Sequence, residues 1–128
     1  MRRRVSSGGP WEARYGYSRA IVVGDTCWVA GTTDAGPDGQ SEHPGDPGAQ
    51  ARAVFAIIGA ALAEAGFSLR DVVRTRMYVT DAGHVADVGT VHGEVFVDVR
   101  PAATAVVVAA LIDPSLLVEI EVDAVRGG

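Results

Sequence analysis

The sequence predicts an α+β fold in the order β-β-α-β-α-β-β, with both helices on one face of the sheet. Three observations carry this prediction. Two segments repeat apolar residues at three- and four-residue spacing behind recognisable caps, two others alternate apolar and polar residues, and one run is apolar throughout. A chain of 128 residues has room for one domain, 1–128, with a real hydrophobic core, and not for two.

The elements follow in order. Ser6-Ser7-Gly8-Gly9-Pro10 is turn chemistry and predicts an irregular N-terminal stretch. Residues 19–23 and 27–31 are short β-branched or aromatic runs on either side of Gly24-Asp25-Thr26, which reads as a hairpin. Residues 33–45 are rich in Gly, Pro, Asp and Ser and predict a surface loop, by composition the most mobile part of the chain. Asp46 is a good N-cap and Pro47 suits the first helical position. Ala51, Val54, Phe55, Ile58, Leu62 and Ala65 then share one helix face, and Gly66 stands where a left-handed C-cap residue is wanted.

Residues 72–80 predict a strand with Val73, Thr75, Met77 and Val79 on one side and Arg74, Arg76 and Tyr78 on the other. Asp81 can cap a second helix whose face carries Val85, Val88, His92, Val95 and Phe96, closed by Arg100-Pro101. Residues 104–111 are continuously apolar, as expected of a strand buried on both faces. Residues 117–125 alternate, with Val118, Ile120, Val122 and Ala124 opposite Glu119, Glu121 and Asp123. Two helices cover only one side of such a sheet, and the run 104–111 therefore predicts an oligomer whose subunits pack sheet to sheet.

Composition narrows the chemistry. Hydrophobic residues at 48% and charged residues at 21% exclude disorder as the default. Eleven basic against 16 acidic side chains give a net charge of -5, which opposes a nucleic-acid partner. The basic run Arg2-Arg3-Arg4 is not followed by an apolar segment, so it is not a secretory signal, and no stretch reads as long enough to span a bilayer. A cytoplasmic protein with no membrane partner is expected. All the basic residues are Arg, so Schiff-base catalysis by a lysine is impossible. The single cysteine, Cys27, lies in an apolar run and reads as a packed strand residue. His43, His84 and His92 lack metal-ligand spacing, and neither a metal nor a cofactor is expected.

Several segments together resemble one family. They are Gly16-Tyr17-Ser18-Arg19-Ala20, Trp28-Val29-Ala30-Gly31-Thr32, Ala65-Gly66 leading to Asp71-Val72-Val73, the strand from Arg74 through Thr75-Arg76-Met77-Tyr78 to Asp81, Arg100-Pro101-Ala102-Ala103-Thr104, and Leu117-Val118-Glu119-Ile120-Glu121. In order and spacing the chain is similar to the RidA family, also called YjgF or reactive intermediate deaminases. The resemblance implies a chorismate-mutase-like fold and a homotrimer with three clefts between subunits. It also implies, for the typical member, hydrolysis of reactive enamines and imines of 2-amino acids, as small-molecule ligands, to 2-keto acids and ammonia; no cofactor is needed for this, since an iminium carbon is already electrophilic.

The resemblance assigns Glu119 to water positioning or proton transfer and makes Tyr17 a cleft residue. It puts Gly31 and Thr32 in a substrate-binding segment, where a residue without Cβ at 31 lets a ligand approach the backbone. One departure stands out. Typical deaminating members read Pro-Ala-Arg-Ser where this chain reads Pro101-Ala102-Ala103-Thr104, so Ala103 replaces the arginine that holds the substrate carboxylate. A methyl group cannot imitate a guanidinium fork, and losing such a pair costs about 2–5 kcal/mol of binding. Little hydrolysis of 2-imino acids is therefore expected unless another group holds the carboxylate.

Arg76 is one candidate for that group; the alternative is a structural ion pair with Glu119, Glu121 or Asp123 of the neighbouring strand. His92 is the histidine placed for proton transfer near neutral pH, or else a satisfied core or interface residue. Glu121 and Asp123 read as a solvated strand face. Two functions remain: a trimeric hydrolase of small imines or enamines, and a non-catalytic trimer that binds a small ligand as a sensor or partner platform.

Overall fold

A computed structural model describes residues 1–127; Gly128 lies outside the described residues. The elements are β1 (Arg2–Val5), α1 (Pro10–Tyr15), β2 (Ala20–Val23), β3 (Thr26–Thr32), α2 (Pro47–Ala65), β4 (Val72–Val79), α3 (Val85–Val95), β5 (Ala102–Val107) and β6 (Val118–Val125). The six strands form one mixed sheet ordered β1-β2-β3-β6-β4-β5. β6 lies antiparallel between β3 and β4, and β4 and β5 are parallel, joined across α3. The architecture is α+β, as the sequence predicts.

The predicted first long helix is present with both of its caps. The Asp46 carboxylate accepts from Ala49 N–H at 3.0 Å, and Gly66 closes the helix at φ 87°. Its six predicted apolar residues are all buried, against Val118, Ile120, Val122 and Ala124 of β6 and the inner residues of β2 and β3. Burying each of the larger side chains is worth about 1.5–3 kcal/mol. By length and mean hydropathy, 19 residues and 1.2, α2 could cross a membrane, contrary to the expectation that no stretch is long enough. Here its apolar face lies on the sheet. Gln50, fully buried on α2, donates to His43 O and Ser115 O and accepts from Leu117 N–H, so one amide ties two loops to the helix.

The structure corrects the sequence reading in five places. Residues 2–5 form a strand paired with β2, and 10–15 form a short helix, so the N-terminus is ordered around the turn at Ser7–Pro10. Only Val5 of β1 is buried, and the three arginines gave no alternation to read. A bulge between Val72 and Arg74 turns Val73 outward, 45% exposed, and puts Val72 in the core instead. In the second helix Val85 lies off the buried face, and Val88 and Val91 are its buried residues. That helix also ends earlier than Arg100-Pro101, at Val95: Phe96 O accepts from both Val99 N–H and Arg100 N–H, and Arg100 takes φ 52°.

The fifth correction concerns the apolar run. β5 spans Ala102–Val107, it is the edge strand, and every one of its residues is exposed in the single chain. The helix layer leaves it largely uncovered, because α2 packs chiefly on β3, β6 and β2, and α3 packs on α2. The run is apolar without being buried on either face by its own chain.

Candidate functional site

The face of the sheet opposite α2 and α3 is a polar floor. β4 contributes Arg74, Arg76 and Tyr78, and β6 contributes Glu119, Glu121 and Asp123, with Tyr78 opposite Glu119 and Arg76 opposite Glu121. Strand alternation brings these six together. Over the part of this floor formed by Arg76, Glu121 and Asp123 lies an open cleft of about 540 Å³, also walled by Tyr17, Ser18 and Trp28; Glu119 lies outside its wall. Tyr17 and Trp28 expose their rings, 43% and 46%, on this side.

Most charges on the floor are paired. Arg76 Nη1 lies 3.4 Å from Asp123 Oδ2. Tyr78 donates its hydroxyl to Glu121, and that hydrogen bond, together with burial, pushes the phenol above its ordinary pKa. The ion-pair alternative for Arg76 is thus present in the geometry.

Glu119 is different. Burial pushes its carboxyl above the ordinary carboxylate range, the charge of Glu121 adds to this, and Arg19 opposes it. A bulge in β3 between Val29 and Thr32 brings Gly31 against Glu119. Arg19 Nη2 donates to Gly31 O at 2.7 Å and so holds the bulge. Thr32 is buried, and its hydroxyl donates to Ala30 O at 2.8 Å; it braces the bulge from below and does not face the cleft. In the sequence Arg19 is one residue of a resembling segment and the first of a predicted strand. Its role becomes visible once the bulge does.

His92 and Ala103 sit elsewhere. Thr75 points to the helix side, and Ala103 is its partner in the parallel register, so Ala103 shares that side. His92 Nε2 lies 2.8 Å from Thr75 Oγ1, with the imidazole between Phe55 and Phe96. Burial holds its pKa below the ordinary value, which keeps the ring neutral at pH 7. Glu119, Tyr17, Gly31 and Arg76 therefore lie on or beside one face of the sheet, and His92 and Ala103 on the other. One chain does not bring the two groups together.

The loop 33–45 holds a residue that the sequence reading missed. Asp34 is buried, and its Oδ2 accepts from Ser41 Oγ at 2.8 Å and lies 3.1 Å from His43 Nδ1. A carboxylate in a Gly- and Pro-rich loop gives no hydropathy signal. It is the anchor around which the loop is organised.

Comparison with known proteins identifies the family and the fold. The family profile described as Endoribonuclease L-PSP matches residues 10–126. A RutC family protein of Pyrococcus abyssi is 38% identical over 105 residues, 82% of each chain. The crystal structure of a YjgF/YER057c/UK114 family member from Mycobacterium tuberculosis superposes with a TM-score of 0.88 at 47% identity, covering 98% of this chain and 100% of that one. The crystal structure of RidA from a Psychrobacter species superposes with a TM-score of 0.79 at 31% identity, covering 96% and 94%. With a profile match over nearly its whole length and a matching fold, the chain belongs to the RidA/YjgF family.

Proposed function

We propose that this protein is a homotrimeric hydrolase of small reactive imines or enamines, acting in clefts between its subunits. The observation that carries the reading is Glu119: a half-buried carboxylate with raised proton affinity, next to Gly31 on the open face of the family's sheet. Such a group is suited to general-base chemistry near neutral pH. Glu119 takes a proton from water as the oxygen bonds to the C=N carbon and the nitrogen is protonated. The resulting carbinolamine then loses ammonia and leaves the carbonyl product.

Two observations support assembly. The apolar edge is uncovered, with Val107 at 54% and Ile112 at 93% exposure, and a second copy is the economical cover. The candidate residues also lie on opposite faces of one sheet, so two copies are needed to set them around one small molecule. Light scattering should return about 40 kDa, three times 13.3 kDa; a stable monomer would remove the interface cleft.

The activity is tested by ammonia release from freshly generated small imines, with and without a carboxylate. Catalysed release that falls about 10²-fold or more in Glu119→Gln supports the hydrolase. Release at the uncatalysed rate would leave the second reading, a trimer that binds a small ligand without turnover, which Ala103 favours. RNA is disfavoured as a substrate by the net charge of -5.

A further inference from the structure

Arg19 carries a cost that the fold does not explain. Its Nη2 donates to Gly31 O at 2.7 Å, and its own carbonyl accepts from Ala30 N–H at 3.0 Å, so the residue clasps the β3 bulge twice. Its Nε, however, is shut off from water and has no acceptor among the described residues. Of the half-buried arginines, Arg19, Arg74, Arg76 and Arg126, only Arg19 has such a nitrogen. No carboxylate of the described residues lies within ion-pair distance of its guanidinium. An unpaired buried donor destabilises a fold, and a neutral amide could serve Gly31 O without burying a charge. The bulge accounts for the hydrogen bond and not for the charge.

That charge acts on two carboxylates, Glu12 and Glu119. Glu12 already accepts from Ser7 N–H at 2.9 Å and from the Ser7 hydroxyl, and needs no cation. Glu119 packs against the same Gly31 that Arg19 holds. Its other neighbours do not favour its ionised form. Glu121 flanks it on β6 with a like charge, and Tyr78, opposite it on β4, spends its hydroxyl on Glu121. Arg76 is opposite Glu121 and faces Asp123, and Arg74 is one pair further along. β3 brings Gly31 and Thr32, which carry no charge. Burial also favours the protonated carboxyl, and Arg19 opposes it.

We propose that Arg19 is the positioning residue of this site: across Gly31 its charge keeps Glu119 a carboxylate, the form that accepts a proton from water. A guanidinium stays protonated over the whole working range, so it supplies a fixed charge and not a second titrating group. One side chain thereby couples the shape of the bulge to the ionisation of the base. For turnover the inference rests on the hydrolase reading above. Without the charge the carboxyl keeps its proton to higher pH, and turnover on the acid side is lost first.

The test reads Glu119 directly and needs no turnover. Its side-chain carboxyl is titrated by carbon NMR in the full chain, the signal being assigned by its loss in Glu119→Gln. In Arg19→Gln the midpoint should move up, and in Arg19→Lys, which keeps a positive charge, it should return toward the native value. Ammonia release should fall roughly tenfold in Arg19→Gln on the acid side of the pH profile and converge with the native rate as pH rises. Glu12→Gln should leave the Glu119 midpoint in place. If Arg19→Gln does not fold, citrulline in place of Arg19, introduced by joining residues 1–26 to the rest at Cys27, removes the charge and keeps the shape. A midpoint unmoved by loss of the charge, or an equal loss of turnover at every pH in Arg19→Gln and Arg19→Lys, overturns the assignment and leaves Arg19 a brace for the bulge. If the native chain releases no ammonia while Glu119 responds to Arg19, the assignment stands and the hydrolase falls. If the native chain turns over while Glu119 does not respond, the hydrolase stands and the assignment falls.

Discussion

A side chain on residue 31 would collide with Glu119: an ideal Cβ built on Gly31 falls 2.6 Å from Glu119 Oε2. The contact is with the far end of a flexible side chain, so the backbone need not move to relieve it. Gly31→Ala should therefore cost only about 1 kcal/mol of stability, at the low end for overpacking. It should cost far more activity, about 10²-fold, because a displaced base no longer meets the water it activates. Melting temperature and ammonia release on the same sample separate the two effects. Full turnover in Gly31→Ala would detach Glu119 from the reaction.

Glu119 also makes a pH prediction. Its folded-state pKa is raised, chiefly by burial, so its protonated form is the better tolerated one and its ionisation weakens the fold. Glu119→Gln should be more stable than the native chain at pH 7, and the difference should vanish below about 4.5, the ordinary value, where both side chains are neutral. Denaturant unfolding of both proteins across that range checks it. A native chain more stable than Glu119→Gln at neutral pH would show a favourable charge partner instead.

For His92 the sign is reversed. Burial lowers its pKa below 6.5, so the stability linked to the neutral ring is present above 6.5 and is lost as pH falls through the folded value. Relative to His92→Gln, the native chain should lose stability between pH 7 and pH 5. A flat difference over that interval would mean that burial does not disfavour the charged ring.

Removing the carboxylate of Asp34 should loosen the loop it organises. Ser41 Oγ, His43 N–H and the His43 ring all meet Asp34 Oδ2. Asp34→Ala leaves these groups without their partner and should cost about 1–3 kcal/mol, with faster proteolysis within 33–45. Asp34→Asn, which keeps one acceptor oxygen, should recover part of the loss. Equal proteolysis of Asp34→Ala and the native chain would mean that Gln50 alone pins the loop.

The parts of the fold legible in the sequence were those with a period. The spacing of Val54, Phe55, Ile58 and Leu62, bounded by Asp46 and Gly66, describes α2 almost to the residue, and the alternation of Val118, Ile120 and Val122 describes β6. β1 was not legible, because its pairing depends on β2 and its residues are mostly arginine. A bulge is equally silent: nothing in Val72-Val73 says which valine faces inward. The run beyond Ala103 was read correctly as apolar and incorrectly as buried, since composition does not say which chain provides the cover.

The candidate site was legible residue by residue and not as a place. Of the residues the resemblance points to, Gly31 packs against Glu119, while Tyr17 walls the neighbouring cleft. His92 and Ala103 are expected at the same site, but the parallel register of β4 and β5 and the inward turn of Thr75 send them to the other face. In the sequence Arg100 is the residue before a proline and the start of one segment that carries the resemblance. Its positive φ is a property of the folded chain.

The two edges of the sheet differ in a way that bears on polymerisation. β1 ends the sheet on one side with Arg2, Arg3 and Arg4, all exposed, while β5 ends it on the other without a single charge. An endless ribbon of copies would need the β5 edge of each to join the β1 edge of the next. That junction would have to strip water from arginine side chains against alanine and valine, and two β1 edges would meet with like charges. In the proposed assembly the β1 edge is thereby excluded, and contacts confined to the β5 side do not propagate into fibrils.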